Sequence, residues 1–266
     1  MSVGSLQSAA PYPESVVTIA AGRPVRLVWE NMLGGLTFEI GADPKRCFVK
    51  WSPKTACVDI DGEIARLRWA GAHIAVPEVV STGTDDQGTW IVTTALAGES
   101  AVSDRWLVDR AVAVAGIGRG LREIHEALPV DECPFSWSAE SRVADAHRRA
   151  DLGLIDPKGW HAEHQSLDLS AALSLIGDIP EVDRLVVCHG DACSPNTLIT
   201  DDGTCSGHTD LGALGVADRW ADLSVATWST VWNYGQGFEE LLLETYGVEP
   251  DPSRIAYYRL LWDLGP

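Results

Sequence analysis

Three oxygen-bearing side chains stand in two short runs, Cys188-His189-Gly190-Asp191-Ala192-Cys193-Ser194-Pro195-Asn196 and His208-Thr209-Asp210-Leu211-Gly212. The order Asp, Asn, Asp suits phosphoryl transfer to a hydroxyl: Asp191 to orient the hydroxyl, then Asn196 and Asp210 as hard oxygen ligands for Mg2+. Each half is common alone; the ordered pair is not. The Gly190 turn, directly after an apolar strand-like run, would present Asp191 to a cleft.

The same chemistry needs a cation for the nucleotide phosphates, because its catalysis rests on positioning and charge neutralisation. Lys50, in Cys47-Phe48-Val49-Lys50-Trp51, is a lysine in an otherwise apolar strand, which costs free energy unless it has a partner. Glu63 on the helical segment that follows is the candidate partner. The alternative is an edge-strand lysine turned to water. A loop over the phosphates is a further requirement, and Met32-Leu33-Gly34-Gly35-Leu36 lies between two strands as such a lid would. A plain hairpin turn explains Gly34 and Gly35 as well.

The elements that must hold these residues divide the chain in two. From about Val16 to Val92, short β-branched or aromatic runs are punctuated by Gly, Pro and Asp: Val25–Trp29, Leu36–Ile40, Cys47–Trp51 and Thr89–Val92. They predict an antiparallel sheet, interrupted by one amphipathic helix over Asp59–Ala72. After Thr94-Ala95-Leu96 the period changes. Apolar positions predict a long helix over Trp106–Ala127, short helices around Ala144–Ala150 and Leu167–Ile176, a strand over Leu185–Cys188, and helices over Arg219–Trp232, Phe238–Tyr246 and Arg254–Leu264. The expected class is α+β: a β-rich lobe over residues 1–95 and a larger, mainly helical lobe over residues 96–266.

Composition limits the function. The 266 residues are 45% hydrophobic, ample for a core, and carry a formal charge of −18. That charge argues against a nucleic-acid partner and favours a cationic small substrate. It also serves simply to keep an acidic surface soluble. No apolar run is long enough to span a bilayer, and Met1–Glu14 lacks a signal-peptide pattern, so the expected setting is the cytoplasm with no membrane partner. Six cysteines are too sparse for a disulfide scaffold and are expected as free thiols. His189, Cys193, Cys205 and His208 do not have the spacing of a structural zinc site.

Over nearly its whole length the chain resembles the aminoglycoside phosphotransferase family, antibiotic kinases with a protein-kinase-like fold. The resemblance is carried by Val49-Lys50, Glu63-Ile64-Ala65-Arg66-Leu67-Arg68-Trp69-Ala70, Val76-Pro77-Glu78-Val79, Leu96-Ala97-Gly98, Leu121-Arg122-Glu123-Ile124-His125 and the two opening runs. The most specific stretch is Asp210-Leu211-Gly212 continuing through Leu214-Gly215-Val216-Ala217-Asp218-Arg219-Trp220-Ala221-Asp222-Leu223.

The resemblance implies a two-lobe kinase, residues 1–95 binding nucleotide and residues 96–266 carrying catalysis and the acceptor. Asp191 is then the catalytic carboxylate, Asn196 and Asp210 hold Mg2+, and Lys50 paired with Glu63 binds phosphate. Thr94, Ala95 and Leu96 form the hinge that bonds the purine of ATP or GTP. His189 and Asp222 brace the catalytic loop. Asp191 and Asp263 meet a cationic antibiotic, with Glu239 or Glu240 as further acidic contacts. The chain departs from kanamycin-type relatives in having Ala213 where they have Arg, no Ser beside Gly34, and no acidic-aromatic tail. The implied reaction is transfer of the γ-phosphate to a hydroxyl of an aminoglycoside. The alternatives are a kinase of another hydroxylated natural product, such as a nucleoside or peptide antibiotic, and a non-catalytic pseudokinase that only binds nucleotide.

Overall fold

The computed structural model describes residues 12–31, 33–56 and 59–265. Met32 of the expected lid, Cys57, and most of the Met1–Glu14 stretch lie outside these residues. The chain divides into two compact units, Met1–Ala97 and Gly98–Pro266.

The first unit is built on a five-stranded antiparallel sheet. Its strands are β1 (Val25–Glu30), β2 (Leu36–Ile40), β3 (Cys47–Pro53), β4 (Val79–Thr84) and β5 (Gly88–Thr94), in the order β1-β2-β3-β5-β4. Period-two alternation sorts the central strands. Phe38 and Ile40 of β2, Val49 and Trp51 of β3, and Val92 of β5 form one buried cluster with Val16 and Ala20 of helix α1 (Glu14–Ala20). Lys50, between Val49 and Trp51, points to the other face. There α2 (Ile60–Ala70) packs on β4 and β5 through a buried flank that includes Ile64 and Leu67.

Two of these elements escape the periodicity reading. Among its described residues the first unit has two helices rather than one: α1 spans seven residues, and its β-branched Val16, Val17 and Ile19 read locally as strand. The edge strand β4 has the run Val79-Val80-Ser81-Thr82-Gly83-Thr84, mostly exposed and without alternation, so it has no strong signal.

The second unit carries α3 (Asp104–Val108), α4 (Arg110–Ala127), α5 (Ala139–Asp151), α6 (Leu169–Gly177), α7 (Trp220–Tyr234), α8 (Glu239–Tyr246) and α9 (Pro252–Asp263). Between them run five short strands. They are β6 (Glu99–Ser100), β7 (Leu185–Cys188), β8 (Thr197–Ile199), β9 (Cys205–His208) and β10 (Gly215–Asp218), paired as β6-β8-β9 and β7-β10. The helix expected over Trp106–Ala127 is two helices. Asp109 leaves helical geometry at φ −97°, ψ 53°, and Val108 is left exposed.

Helix α7 is the axis of this unit, buried at every position from Trp220 to Thr230 and packed against α8 and α9. Two of its buried hydroxyls donate within the helix, Thr227 Oγ1 to Leu223 O at 2.9 Å and Thr230 Oγ1 to Thr227 O at 2.7 Å. Among the described residues no helix is long and apolar enough to cross a membrane.

Candidate active site

In the first unit the lysine has its partner. Lys50 Nζ lies 2.7 Å from Glu63 Oε2, and the Glu63 side chain is 8% exposed. β3 is a central strand, with Lys50 in register opposite Thr37 of β2 and Ile91 of β5, so the edge-lysine alternative does not apply. Glu63 sits in the first turn of α2, where the helix dipole favours a carboxylate. Asp59 fixes that turn by accepting the Gly62 N–H at 2.9 Å. The pair thus presents a pre-aimed ammonium group.

The glycine loop is closed by a residue the sequence reading passed over. Asn31 Oδ1 accepts the N–H groups of Leu33 at 2.9 Å and Gly35 at 2.7 Å, and Asn31 O accepts that of Gly34 at 3.1 Å. Gly34 takes φ +79°, a turn conformation that suits glycine. The Asx-turn signal, an Asn two and four residues before the amides it binds, was available in the sequence. Thr94 ends β5 with its N–H donating to Glu78 O and its Oγ1 accepting from Glu78 N, both at 2.9 Å. Two residues on, Leu96 O accepts from Arg46 Nη2 at 3.2 Å. The segment 94–96 is therefore anchored on both sides of Ala95.

In the second unit, strand register brings the three oxygen-bearing residues together. Thr197 of β8 lies opposite His208 of β9, and the pairing continues past the strands as Thr209 N donates to Asn196 O at 2.9 Å. Asn196 and Asp210 therefore emerge from the same end of one hairpin. Asn196 Nδ2 donates to Asp191 O at 3.0 Å, which ties it to the Asp191 loop with its Oδ1 as the remaining acceptor. Asp210 is exposed and holds φ +62°, an unusual backbone for a non-glycine residue and a form of strain that collects at functional sites. Asp191 is half-buried, with Oδ1 buried and without a hydrogen-bond partner among the described residues.

His189 links these parts. Its Nε2 donates to Thr209 O at 3.0 Å, so its Nδ1 is left to accept the Asp191 N–H at 3.2 Å. One imidazole thus spans from the residue beside Asp210 to Asp191 itself. Beneath it lies Asp222, fully buried in the first turn of α7. Asp222 accepts the backbone N–H groups of His189 at 2.6 Å and Gly190 at 2.9 Å, and His125 Nε2 at 2.9 Å. Burial raises this carboxyl, but the hydrogen bond and charge of His125 outweigh it and hold Asp222 below the usual range. Gly190 at φ +85° cannot be replaced, since a Cβ there would meet Ala213 O at 2.2 Å.

The neighbouring thiols and imidazoles are supports. The described cysteines, Cys47, Cys133, Cys188, Cys193 and Cys205, are thiols outside any disulfide. Burial, and then the Asp191 charge, push the Cys193 thiol well up, so it is no thiolate nucleophile. His208 is pushed down to about 3, chiefly by burial, and packs edge-on against His189. A brace that carried no signal in sequence is Ser229 on α7, whose Oγ accepts the Ser194 N–H at 2.8 Å. Arg219 pairs with Asp183 at 2.6 Å, so its charge is already neutralised rather than free to replace the missing Arg at Ala213.

Asp263 differs from the expectation of an open acidic contact. Its side chain is 4% exposed, and it accepts the His161 N–H at 3.0 Å and both His161 Nδ1 and His164 Nδ1 at 2.6 Å. Burial raises this carboxyl, yet the bonds from His164 and His161 hold it below its usual range. The histidines lie about a hundred residues upstream, so their capture of Asp263 is a tertiary event. Glu239 and Glu240 open the first turn of α8 and line, with Glu163 and Arg259, a cavity of about 340 Å3.

Residues 33–258 match the model of the phosphotransferase enzyme family. The chain is 36% identical over 226 residues to an aminoglycoside 3'-phosphotransferase of Streptomyces fradiae, covering 79% of this chain and 81% of that one. It is also 36% identical over 255 residues to the aminoglycoside 3'-phosphotransferase of Streptomyces ribosidificus, covering 88% and 93%. Among solved structures it is similar to the aminoglycoside phosphotransferase APH(3'')-Id of Streptomyces rimosus in complex with ADP and streptomycin. The TM-score is 0.72 at 26% identity, over 88% of this chain and 93% of that one.

Proposed function

The chain belongs to the phosphotransferase enzyme family, and from that premise we propose that it transfers the γ-phosphoryl group of a nucleoside triphosphate to a hydroxyl of an aminoglycoside. The observation that carries the reading is the 36% identity to an aminoglycoside kinase over 88% of the chain. The hydrogen-bonded set Asp191, Asn196 and Thr209-Asp210 supports it independently. In this reading residues 1–95 bind nucleotide and residues 96–266 carry catalysis and the acceptor.

Asp191 orients the acceptor hydroxyl and takes its proton. The hydroxyl oxygen bonds to the γ-phosphorus as the bond to the bridging β–γ oxygen breaks, and the nucleoside diphosphate leaves. Lys50, held by Glu63, neutralises phosphate charge, Gly34 and Gly35 lie in the loop over the phosphates, and Thr94, Ala95 and Leu96 meet the purine of ATP or GTP. Asn196 Oδ1 and the Asp210 carboxylate form a hard-oxygen donor set suited to Mg2+. When bound there, the ion supplies charge neutralisation to the phosphates. The reaction belongs in the cytoplasm, where nucleoside triphosphates are abundant.

A second acceptor class, another hydroxylated natural product, is favoured by one observation: Asp263 is spent on His161 and His164 rather than held open. The test is incubation with ATP or GTP and a panel of kanamycin, streptomycin and nucleoside antibiotics, read by mass gain of one phosphoryl group. Modification of an aminoglycoside is the expected result. Modification of nucleoside antibiotics alone would transfer the assignment to the second class.

A further inference from the structure

The segment Thr94-Ala95-Leu96 carries a backbone hydrogen-bond pattern that two side chains have altered. Glu78 lies opposite Thr94, one step beyond the Val79–Thr93 pair of β4 and β5. In a regular antiparallel ladder two such residues exchange both backbone bonds. Here only one of the two forms: Thr94 N donates to Glu78 O, while the Glu78 N–H is taken by Thr94 Oγ1, both at 2.9 Å. The N–H and C=O of a strand residue face the same neighbour, so the Thr94 carbonyl faces Glu78 and not β3. The hydroxyl has captured the donor meant for that carbonyl, and Thr94 O is released as an open acceptor.

Two residues on, the carbonyl is capped instead. Leu96 O accepts from Arg46 Nη2 at 3.2 Å. That guanidinium is a fixed group. Its Nη1 lies 3.4 Å from Glu39 Oε1, its Nε lies 3.3 Å from Asp43 Oδ1, and it sits 5.8 Å from the centroid of the Phe48 ring. Glu39 is held in turn by Arg26. The Leu96 N–H has no acceptor among the described residues. The segment therefore offers an acceptor at Thr94 O and a donor at Leu96 N, with Leu96 O occupied by a cation.

The two purines fit this order differently. Adenine presents its N6 amine as a donor beside N1 as an acceptor, which complements an acceptor followed by a donor. Guanine presents O6 as an acceptor beside N1–H and the N2 amine as donors. With guanine in the place of adenine, O6 would face Thr94 O, lone pair against lone pair. Moved along so that O6 meets the Leu96 N–H, guanine needs Leu96 O for its own N–H groups. Arg46 already holds that oxygen and sets a positive charge against a further donor.

We propose that Arg46 and the Thr94 hydroxyl are nucleotide-specificity residues that select adenine over guanine. The hydroxyl frees the carbonyl that adenine needs, and Arg46 caps the carbonyl that guanine needs. Both act through the backbone rather than by touching the base. The inference rests on the function proposed above, in which residues 94–96 meet the purine, and narrows the phosphoryl donor from ATP or GTP to ATP.

The experiment measures the dissociation constants of ADP and GDP with Mg2+ by calorimetry, and KM for ATP and GTP with kanamycin, on wild type, Arg46→Ala, Arg46→Lys and Thr94→Val. Wild type binds ADP about tenfold or more tighter than GDP, as for one hydrogen bond that guanine leaves unmade. In Arg46→Ala the preference falls about fivefold or more because GDP binds more tightly. Arg46→Lys keeps a cationic donor and with it the preference. In Thr94→Val the Glu78 N–H returns to the carbonyl, and the preference falls because ADP binds more weakly. Equal affinities in wild type would overturn the proposal, as would a parallel loss of both nucleotides in Arg46→Ala, the mark of a merely structural role, or a preference that Thr94→Val leaves intact. Nucleotide binding needs no acceptor, so absence of transfer to kanamycin would sink the functional reading while this comparison still decides the purine. Binding of neither nucleotide would sink both.

Discussion

Asp191 combines a buried, unpartnered carboxylate oxygen with a backbone N–H pinned by His189. That is what a group poised to accept a proton needs: an available lone pair on a side chain whose backbone does not move. Asp191→Ala should lower kcat by about 10²- to 10⁴-fold or more while leaving nucleotide affinity by calorimetry unchanged. Turnover equal to wild type would remove Asp191 from the catalytic role. The grouping of Asp191 with Asn196 was legible in sequence, as was the Lys50–Glu63 ion pair, because an ammonium group in an apolar strand requires a nearby counter-charge. Asp263 was legible only as an acid near the end of the chain. Its pairing with His161 and His164 is set by how α9 packs against a turn a hundred residues earlier, and nothing local encodes that.

At the scale of elements, α7 holds the loop that carries Asp191, by Asp222 in its first turn and Ser229 two turns later. Asp222 is the more consequential contact, since one buried carboxylate satisfies two loop amides and His125. Asp222→Asn places an amide NH2 opposite a backbone N–H, that of His189 or that of Gly190, which can only donate. The expected loss is on the order of 3–5 kcal/mol, seen as a lower denaturation midpoint. The pH dependence follows from the depressed folded-state value. A carboxyl whose pKa falls on folding contributes its full stability above the unfolded value and loses it as pH falls towards the folded value. The variant's stability should therefore fall less on acidification than the wild type's; parallel curves from urea melts at several pH values would contradict the role given to Asp222. The helices with long apolar stripes and the strand before His189 were readable because burial on one face imposes a period. Helix α1, strand β4 and the break at Asp109 were not. A seven-residue helix is too short to establish a period, an edge strand has no buried face to alternate, and the break at Asp109 changes no residue type in the apolar pattern. The hairpin register that joins Asn196 to Thr209 was equally hidden, since three- and four-residue strands leave register to tertiary packing.

The whole molecule carries a formal charge of −18 over 266 residues, a property that no single site explains. A field of that size attracts a polycationic acceptor and repels a nucleoside triphosphate. The two substrates should therefore respond oppositely to salt. Ionic strength screens interactions beyond about 10 Å at 0.1 M and about 3 Å at 1 M, so raising it weakens long-range attraction while sparing the close contacts of the site. The acceptor KM should rise with added KCl, and the nucleotide KM should hold or fall, with kcat changing little. A neutral hydroxylated acceptor offers no charge for the field to act on, so its KM would be insensitive to salt. Initial rates at several KCl concentrations, varying each substrate in turn at constant free Mg2+, measure both slopes. An acceptor KM that does not move with salt would show that the acidic surface serves solubility alone, and would favour an uncharged natural product as the molecule brought to Asp191.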